Sequence, residues 1–341
     1  MTDPLISVVI DTFNYGRFID EAIESVLRQE YPAERVQVVV VDDGSTDDTT
    51  KRIVKYQPRI EYHRKPNGGQ GSALNLGFKK ARGEIVALLD ADDYWLPAKL
   101  RHVVEGFENH SDAGMIYNSL TVIGSSESPL GFADFIPLSG YLAKDIKKLL
   151  QYRIHPTSCL TFRRGLLERL LPIPESIRLQ ADAYLALLAP LVLPVLAIPE
   201  SLTAYRIHGQ NLYSTQESKI TSEQRRRRSA MWTVVLGHVG EWLENNGFDV
   251  RRGEIRTFLD QWLLFREASA FVAEPPGRTQ YFSYLLRQNR TYRSQQTWKL
   301  TIINYFNAIA SLLLGYGYTQ RLLRLEPKIA DWIRFNILDR E

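Results

Sequence analysis

Three carboxylates follow a short apolar segment in the first third of the chain, and their spacing suits divalent metal binding. Residues 84–89 are typical of a buried strand, and they lead directly into the acidic run at residues 90–93. Side chains alternate along a strand with a period of two, so Asp90 and Asp92 are expected on the same face. Carboxylate oxygens favour Mg²⁺ or Mn²⁺, and such ions usually complete their shell with phosphate oxygens. The run therefore predicts a site for a metal-bound phosphorylated ligand.

Composition sets few limits beyond those of an ordinary folded protein. The 341 residues are 44% hydrophobic and 24% charged, and a net charge of +3 gives no reason to expect nucleic acid as a partner. The single cysteine, Cys159, excludes an intrachain disulfide, fits a reducing compartment and is predicted to be a buried, inert thiol. The start of the chain lacks the charged and apolar regions of an export signal, so we expect a cytoplasmic protein.

No segment has the length and apolarity of a clean membrane span. The nearest is residues 300–318, which contains several polar side chains and is predicted to be a core helix. A helix lying on the membrane surface stays open as an alternative, because four basic residues follow it: Arg321, Arg324, Lys328 and Arg334. Peripheral contact with the inner face of a membrane is therefore a second expectation.

The first part of the chain alternates apolar strands with helical patterns, as a parallel α/β sheet requires. Strands are predicted at residues 6–10, 36–41, 59–63 and 84–89, with helices at 18–29 and 71–82. Ser45 or Thr46 is predicted to cap the helix that follows the second strand.

The rest of the chain is less regular and then becomes helical. A helix is predicted at residues 181–189, ending at Pro190. From about residue 217 the pattern is helical almost to the end, with a break at residues 273–277. The arginines at 225–228 are predicted to form a solvated helix face, with a phosphate or anionic-lipid contact left open.

Four polar segments fall where predicted strands end, which is where open parallel sheets bind ligands. They are residues 11–16, 42–47, 67–71 and 90–93. Each one alone is a weak signal, because Asp-Gly turns and glycine-rich connectors are common. Four such segments in order within one sheet are hard to attribute to chance.

This ordered set resembles the family 2 glycosyltransferases, which are inverting nucleotide-sugar enzymes with a GT-A fold. The residues that carry the resemblance are 7–10, 13–14, 25–29, 40–47, 67–69, 73–75, 81–84 and 89–93. Later in the chain it is limited to fragments at 160–164, 181–182 and 205–208.

The resemblance implies a fold and a domain organisation. The fold would be α/β, with a Rossmann-like, mostly parallel sheet flanked by helices. Residues 1–215 would form the GT-A domain, with 1–110 as the nucleotide-sugar half and 111–215 as the acceptor half. A helical C-terminal region would occupy residues 216–341 and would cover the acceptor side, contact a partner subunit or touch a membrane.

The resemblance also implies roles for the donor half. Asp43 would accept a hydrogen bond from the nucleotide base, and the Phe13 ring would pack against that base. A core aromatic is the open alternative for Phe13. Asp92 would coordinate the metal directly and Asp90 would lie near the ribose and metal-bound waters, while residue context alone gives Asp93 a capping or solvated role. Further substrate contacts are expected at Asp11, Thr12, Asn14, Gly69, Asn75 and Ala91.

The catalytic base of the family corresponds to Asp182, although the usual preceding Glu is Ala181 here. Asp182 could instead only cap the helix that follows it. His208 would complete the metal shell or bind a phosphate oxygen, with a structural histidine as the alternative. Asp11 is a second departure, because the family usually has Pro at that position, and Leu74 stands where Arg is frequent.

These residues together predict a transferase that depends on Mn²⁺ or Mg²⁺. It would move a sugar with inversion from a nucleoside-diphosphate sugar, expected to be a UDP-sugar, to a hydroxyl of a glycan or lipid-linked acceptor, in polysaccharide or glycolipid biosynthesis. The alternative is a sugar-nucleotide-binding protein without transferase activity, acting as a scaffold or regulator. The sequence leaves open whether the protein forms a homo-oligomer.

Two other classes of protein fit the sequence less well. A dinucleotide-binding fingerprint fails because residue 74 is Leu, where the third glycine is required. An aspartyl-phosphate phosphatase is disfavoured because residue 94 is Tyr and two βα units precede the acidic run.

Overall fold

The computed structural model describes residues 3–124, 129–132, 135–208, 211, 221–273, 275–291, 305, 308, 309 and 311–313. The chain divides into two compact units. The first comprises Met1–Lys219 and Val234–Val250, and the second comprises Ile220–Thr233 and Arg251–Glu341. The boundary at residues 215 and 216, together with the donor and acceptor halves, stays a prediction.

Nine strands of the described residues form one sheet in the first unit. They are β1 (Ile6–Thr12), β2 (Val36–Asp42), β3 (Glu61–Arg64), β4 (Ile85–Asp90), β5 (Tyr94–Trp95), β6 (Met115–Gly124), β7 (Pro129–Phe132), β8 (Leu160–Arg163) and β9 (Val195–Ile207). Their order is β3-β2-β1-β4-β8-β6-β9-β5, with β7 beside β6. The first four are mutually parallel, whereas β8 runs antiparallel to both β4 and β6. The expected α/β sheet is therefore present.

Helices connect and follow these strands. They are α1 (Gly16–Leu27), α2 (Thr49–Val54), α3 (Gln70–Lys80), α4 (Lys99–Asn109), α5 (Ile146–Gln151), α6 (Arg164–Leu170), α7 (Ala181–Val192), α8 (Ser222–Asn245), α9 (Gly253–Ala273) and α10 (Arg278–Thr291). Three short 3₁₀ turns lie at Ala33–Arg35, Leu142–Lys144 and Thr157–Cys159. The predicted break at residues 273–277 is confirmed, because α9 ends and α10 begins there.

The central strands are buried on both faces, which explains why they are almost continuously apolar. One face of β1, β2 and β4 packs in a single core with α1 and α4. Helix α1 contributes its apolar side through Ile19, Ala22, Ile23 and Val26. Helix α3 lies on β1 and β2, where Gly77 allows a close approach to Val9. This packing fixes the ends of β1, β2 and β4, the strands that the predicted site residues follow.

Two local expectations are wrong. Helix α2 begins at Thr49 with Asp48 as its N-cap, so neither Ser45 nor Thr46 caps it. The helix that was expected to end at Pro190 continues as α7 to Val192. A proline near the end of a helix removes a single hydrogen bond, and the last turn still closes because Leu193 N donates to Ala189 O at 3.1 Å.

The second unit is helical in its described residues. Its core gathers Leu264, Phe271, Tyr281, Tyr284 and Leu285 from α9 and α10. No helix in the described part of the chain is long and apolar enough to cross a membrane. The possible surface helix at residues 300–318 lies mostly outside the described residues.

The arginine run on α8 matches the expected solvated face where it is described. Arg226 and Arg227 are exposed, and both pair with Glu223 one turn earlier, with N···O distances of 3.6 Å and 3.1 Å. Such exposed pairs within one helix contribute little to stability.

The contact between α3 and β1 can be tested with the substitution Gly77→Ala. A Cβ at residue 77 would lie 2.3 Å from Cγ1 of Val9, which is fully buried and has a stiff, β-branched side chain. Overpacking should outweigh the helix propensity of alanine, so we expect the free energy of unfolding to fall by roughly 1–2 kcal/mol in urea titrations. The matched control is Gly237→Ala inside α8, where no described atom lies within 4 Å of the added Cβ. That change should raise stability, and equal effects of the two substitutions would contradict the packing argument.

Candidate functional site

The ends of β1, β2 and β4 bring three of the four predicted segments to one edge of the sheet. Asp11 is the register partner of Val41 on β2 and of Asp90 on β4. Asp43 follows β2 directly, and its backbone N–H donates to Thr12 O at 2.9 Å. The parallel register therefore places carboxylates from three strands side by side.

Asn14 pins the loop after β1 to the loop after β2. It adopts a left-handed conformation with a φ of 59°, which Asn tolerates better than most residues. Its Oδ1 accepts hydrogen bonds from the backbone N–H groups of Thr46 and Asp47, at 2.7 Å and 3.3 Å. Its own N–H donates to Ser45 Oγ at 2.9 Å. Asn14, which was predicted to contact substrate, thus holds the two loops together.

Phe13 lies on this pinned loop with 43% of its surface exposed. The alternative of a core aromatic is therefore wrong. An exposed ring beside buried carboxylates suits packing against a flat, heterocyclic ligand.

Asp43 is buried and is clamped by the glycine-rich segment. Its Oδ1 accepts from Lys65 Nζ at 2.6 Å and from Gly68 N at 2.9 Å, and its Oδ2 accepts from Gly69 N at 2.7 Å. A carboxylate offers about four acceptor positions, so three donors leave one for a further partner. The preceding Asp42 is fully buried and closes its own loop by accepting from Ser45 N at 2.7 Å.

The acidic run forms a turn whose carboxylates could hold a metal ion. Ligand oxygens of Asp90, Asp92 and Asp93 all lie within 4.8 Å of one another. Asp93 is buried and accepts from Ser158 Oγ at 2.6 Å and from Arg206 N at 2.8 Å, so its suggested capping or solvated role is wrong. Asp90 and Asp92 are then the carboxylates of this turn that are better placed to interact with a metal ion or its waters. The side chain of Ala91 packs in the apolar core, so a ligand contact there would come from its backbone.

Arg206 supports the turn from β9. Its Nε donates to Asp92 O at 3.0 Å, and its guanidinium pairs with Glu21 on α1. The side chain is almost completely buried and lies against the Phe18 ring at 4.9 Å. A buried cation therefore balances part of the charge of the turn.

Ser158 supports the same turn from the 3₁₀ segment before β8. Its hydroxyl accepts from Asp90 N at 3.0 Å, and its carbonyl accepts from Lys99 Nζ at 2.6 Å and Trp95 Nε1 at 2.9 Å. Burial lowers the pKa of Lys99 to about 7. The adjacent Cys159 is buried as expected, and burial raises its thiol pKa to about 12.

His208 lies at the end of β9 and is brought to the acidic turn. Its Nε2 is 2.9 Å from Asp92 Oδ2, and its Nδ1 is 3.0 Å from a guanidinium nitrogen of Arg17. The ring also packs against Phe18, with centroids 4.7 Å apart. An imidazole nitrogen of His208 thus meets one carboxylate of the acidic turn, that of Asp92, and a purely structural histidine stays the open alternative.

Asp182 lies in the first turn of α7 and is half-buried. It accepts from its neighbour Ala183 N at 2.8 Å. The segment before α7 is docked on α3, where the Asn75 amide makes two hydrogen bonds with the backbone of Ile173, at 2.8 Å and 2.9 Å. Asn75, predicted to contact substrate, thus helps to hold the segment that carries Asp182.

The carboxylates at this edge raise one another's pKa. Burial, followed by the charge of Asp182, raises the pKa of Asp11 to about 8. The pKa of Asp90 is raised well above its usual value by burial and by Asp11 and Asp92. Burial also raises the pKa of Asp182. Strongly perturbed carboxylates gathered at a strand edge are typical of functional sites.

Several buried polar atoms here have no hydrogen-bond partner among the described residues. They are Asp11 Oδ1, Thr12 Oγ1 and Gln180 Oε1. Orphaned buried acceptors are rare and often indicate a site for a ligand, an ion or water. Crowded carboxylate oxygens beside an imidazole are also a donor set that suits a hard divalent cation. The residues therefore fit the metal that the sequence predicts.

Comparison with known proteins identifies the family. A family model described as glycosyl transferase family 2 matches residues 7–171. An uncharacterised glycosyltransferase of Nostoc sp. is 34% identical over 256 residues, which cover 72% of this chain and 78% of that protein. The chain belongs to glycosyltransferase family 2. The poly(ribitol-phosphate) β-N-acetylglucosaminyltransferase TarS of Staphylococcus aureus is 35% identical over 115 residues, which cover 32% of this glycosyltransferase and 20% of TarS.

Solved structures agree on the fold of this glycosyltransferase. Residues 1–349 of S. aureus TarS in complex with UDP-GlcNAc superpose with a TM-score of 0.54 and 19% identity, covering 91% of this chain and 92% of that one. A mannosyltransferase from Pyrobaculum calidifontis in complex with GDP-Man and Mn²⁺ gives a TM-score of 0.52 at 18% identity, covering 100% of this chain and 89% of that one. The fold is that of the GT-A glycosyltransferases.

The perturbed carboxylates predict how stability depends on pH. A folded-state pKa of about 8 for Asp11, against an ordinary value of 3.8, favours the protonated folded form. The stability that it contributes is complete below about pH 4 and is lost as the pH rises towards 8. We expect the thermal midpoint of the metal-free protein to fall between pH 5 and pH 8, and Asp11→Asn to make this fall shallower.

The control for the loss of one negative charge is Asp112→Asn, on the exposed loop before β6. The thermal midpoint of Asp112→Asn should depend on pH in the same way as that of the wild-type protein. Identical slopes for Asp11→Asn and wild type would show that Asp11 does not carry the effect.

Proposed function

We propose that this glycosyltransferase moves a sugar with inversion from a nucleoside-diphosphate sugar to an acceptor hydroxyl, using Mn²⁺ or Mg²⁺. The observation that carries the proposal is the order of the side chains along one edge of the sheet. An exposed ring at Phe13 and a clamped carboxylate at Asp43 are followed by the acidic turn with Asp92, and then by Asp182. Phe13 and Asp43 suit the binding of a nucleotide base, and the acidic turn suits a metal ion with a diphosphate. Asp182 suits removal of a proton from the acceptor hydroxyl.

The donor would bind in the half of the chain that includes β1 to β4. Phe13 would stack on the base, and the remaining acceptor position of Asp43 would take a hydrogen bond from a base N–H. Relatives of this fold were solved with UDP-GlcNAc and with GDP-Man, which supports a sugar nucleotide as the ligand. UDP is the nucleotide that we expect from the family as a whole.

Asp92 and His208 would hold the metal, with Asp90 bonded to its waters and to the ribose. The cation would stabilise the negative charge that develops on the diphosphate as it leaves. Arg206 and Ser158 would keep the turn in place, because they bind the backbone of Asp92 and Asp90. Asp11 and Thr12 supply buried acceptors beside the ligand.

Asp182 would act as the general base. The acceptor oxygen attacks the anomeric carbon, its proton passes to the Asp182 carboxylate, and the bond from that carbon to the phosphate oxygen breaks. The electron pair leaves with the nucleoside diphosphate. A carboxylate with a raised pKa takes a proton more readily, and the pKa of Asp182 is raised by burial. The acceptor would be a glycan or a lipid-linked sugar, bound by residues 111–215.

A binding protein without transferase activity is the second candidate. The observation in its favour is Ala181, which replaces the acidic residue that the family usually has beside the base. Binding of a sugar nucleotide with neither transfer nor slow hydrolysis, across a panel of donors with Mn²⁺, would favour this alternative.

The metal assignment can be tested with Asp92→Ala. We expect loss of Mn²⁺-dependent donor binding in calorimetric titrations, together with loss of transfer measured as released nucleoside diphosphate. The reason is that the turn loses its direct ligand while Asp93 stays committed to Ser158 and Arg206. Donor affinity that still depends on Mn²⁺ in this variant would contradict the assignment.

The base assignment can be tested separately with Asp182→Asn. The amide keeps the size of the side chain but cannot take the proton, so donor binding should stay within about twofold while transfer falls by at least about 10²-fold. The donor titration of the same sample serves as the control for folding. Full transfer activity would show that another group acts as the base.

A further inference from the structure

The glycine-rich segment at residues 67–71 contacts both ends of the proposed site. On one side, the N–H groups of Gly68 and Gly69 hold Asp43 at 2.9 Å and 2.7 Å. On the other side, Gln70 N donates to Arg178 O at 2.7 Å, in the segment that leads into α7. A single stretch of backbone therefore joins the carboxylate of the base pocket to the segment that carries Asp182.

The Gln70 side chain extends this connection to the start of α7. Its Oε1 accepts from Ala181 N at 3.0 Å, and its Nε2 donates to Thr157 Oγ1 at 3.4 Å. The first backbone N–H groups of a helix have no partner within the helix, and a side chain usually caps them. The residue in the N-cap position, Gln180, has a left-handed backbone with a φ of 62° and makes no capping bond with its side chain. Gln70 supplies the cap from another part of the chain.

The glycines around Gln70 are explained by the same contact. Gly69 has a φ of +87°, and a Cβ there would lie 2.5 Å from Arg178 O. A Cβ on Gly71 would lie 2.5 Å from Ile177 O. Both positions therefore need glycine because two backbones meet, with Gln70 between them pointing at the helix start. The close approach leaves the Gln70 amide little freedom to adopt another position.

Thr157 links Gln70 to the carboxylate itself. It is buried, and its hydrogen bonding lowers the pKa of Asp182 against the larger raising effect of burial. A hydroxyl has one proton to donate and two lone pairs. Thr157 Oγ1 accepts from Gln70 Nε2, which leaves its one proton for another acceptor. Thr157 thus links Gln70 to the carboxyl whose pKa it lowers.

We propose that Gln70 is a positioning residue that orients Asp182 and joins this base to the loop that clamps Asp43. The proposal rests on the proposed function of Asp182 as the base. The described contacts of Gln70 are with protein groups at the start of α7 and at Thr157. It acts through the start of α7 and through the hydroxyl of Thr157.

Three other titratable groups act on Asp182 and bear on any pH measurement. They are Asp11 on β1, Asp90 on β4 and Tyr205 on β9, each of which interacts electrostatically with Asp182. No contact among the described residues joins any of them to Gln70. A change in the ionisation of Asp182 on substitution of Gln70 therefore reports the path through Thr157, provided that the fold is retained.

The kinetic test compares Gln70→Ala with wild type. Removal of the amide leaves Thr157 Oγ1 and the Ala181 N–H without this partner. Asp182 should then lose its fixed orientation beside Thr157, which favours the ionised carboxylate. We expect kcat for transfer to fall by about tenfold or more, while KM for the donor changes by less than about twofold. The acid limb of the kcat profile should move to higher pH. Thr157→Val, which removes only the hydroxyl, should shift the profile in the same direction.

The matched control is Arg178→Ala. Arg178 also bridges the two segments, by donating to Asn67 Oδ1 at 2.6 Å, but it has no bond to Ala181 or Thr157 among the described contacts. Loss of this bridge should lower thermal stability without moving the pH profile. Arg178→Ala could move the pH profile as far as Gln70→Ala does. The overall contact between the two segments, and not Gln70, would then set the ionisation of Asp182, and the proposal would fail.

A second measurement does not need transfer activity. The carboxyl carbon of Asp182 can be followed by NMR in protein labelled at aspartate, with Asp182→Asn identifying its signal. Gln70→Ala and Thr157→Val should both raise the pKa read from this signal, and Arg178→Ala should leave it unchanged. An unchanged titration in Gln70→Ala overturns the inference even if the wild type transfers sugar. If the wild-type protein shows no transferase activity but Gln70→Ala still shifts the titration of Asp182, the link between these residues is supported and the proposed function fails.

Discussion

The burial of several carboxylates at one edge of the sheet is the constraint on which the rest of this structure depends. Asp11, Asp90, Asp93 and Asp182 all have raised pKa values, because burial and mutual repulsion disfavour their ionised forms. Such a cluster persists in a folded protein only if the surrounding contacts hold each carboxyl group in position. The scaffold of Ser158, Arg206 and the docked segment before α7 meets this requirement with donors that come from distant parts of the chain. Because these pKa values are raised, ionisation of the cluster lowers the stability of the folded protein.

The sequence predicted the elements whose signals are local. Continuous apolar runs identified β1, β2 and β4, and the polar residues after them predicted the edge of the sheet at which the candidate site lies. The family resemblance then ordered these segments. The strand register brings them together, with Asp11 beside Asp90. Helix limits were less accurate, as the continuation of α7 past Pro190 shows, because one missing hydrogen bond does not outweigh the packing of a buried helix.

The sequence did not predict the contacts between distant segments, because no local pattern encodes them. Asn14 and Asn75 were expected to touch substrate, which stays a prediction, and their side-chain amides also form hydrogen bonds with protein backbone. Arg206 fell within a matching fragment, yet its bonds to Asp92 and Glu21 depend on residues more than a hundred positions away. Nothing in the sequence around Ser158 and Lys99 indicated that these residues would support the acidic turn. In this site, tertiary contacts decide which polar residues face a ligand and which support those that do.

The single cysteine has a practical consequence. Cys159 lies next to Ser158, is completely buried and has a thiol pKa near 12, so thiol reagents cannot modify it while the surrounding segment stays closed. Its rate of labelling therefore measures how often the support beneath the acidic turn opens, without any engineered probe. A ligand that bridges the turn would slow this labelling, and the protein thus carries its own reporter of local opening at the place where rigidity matters most.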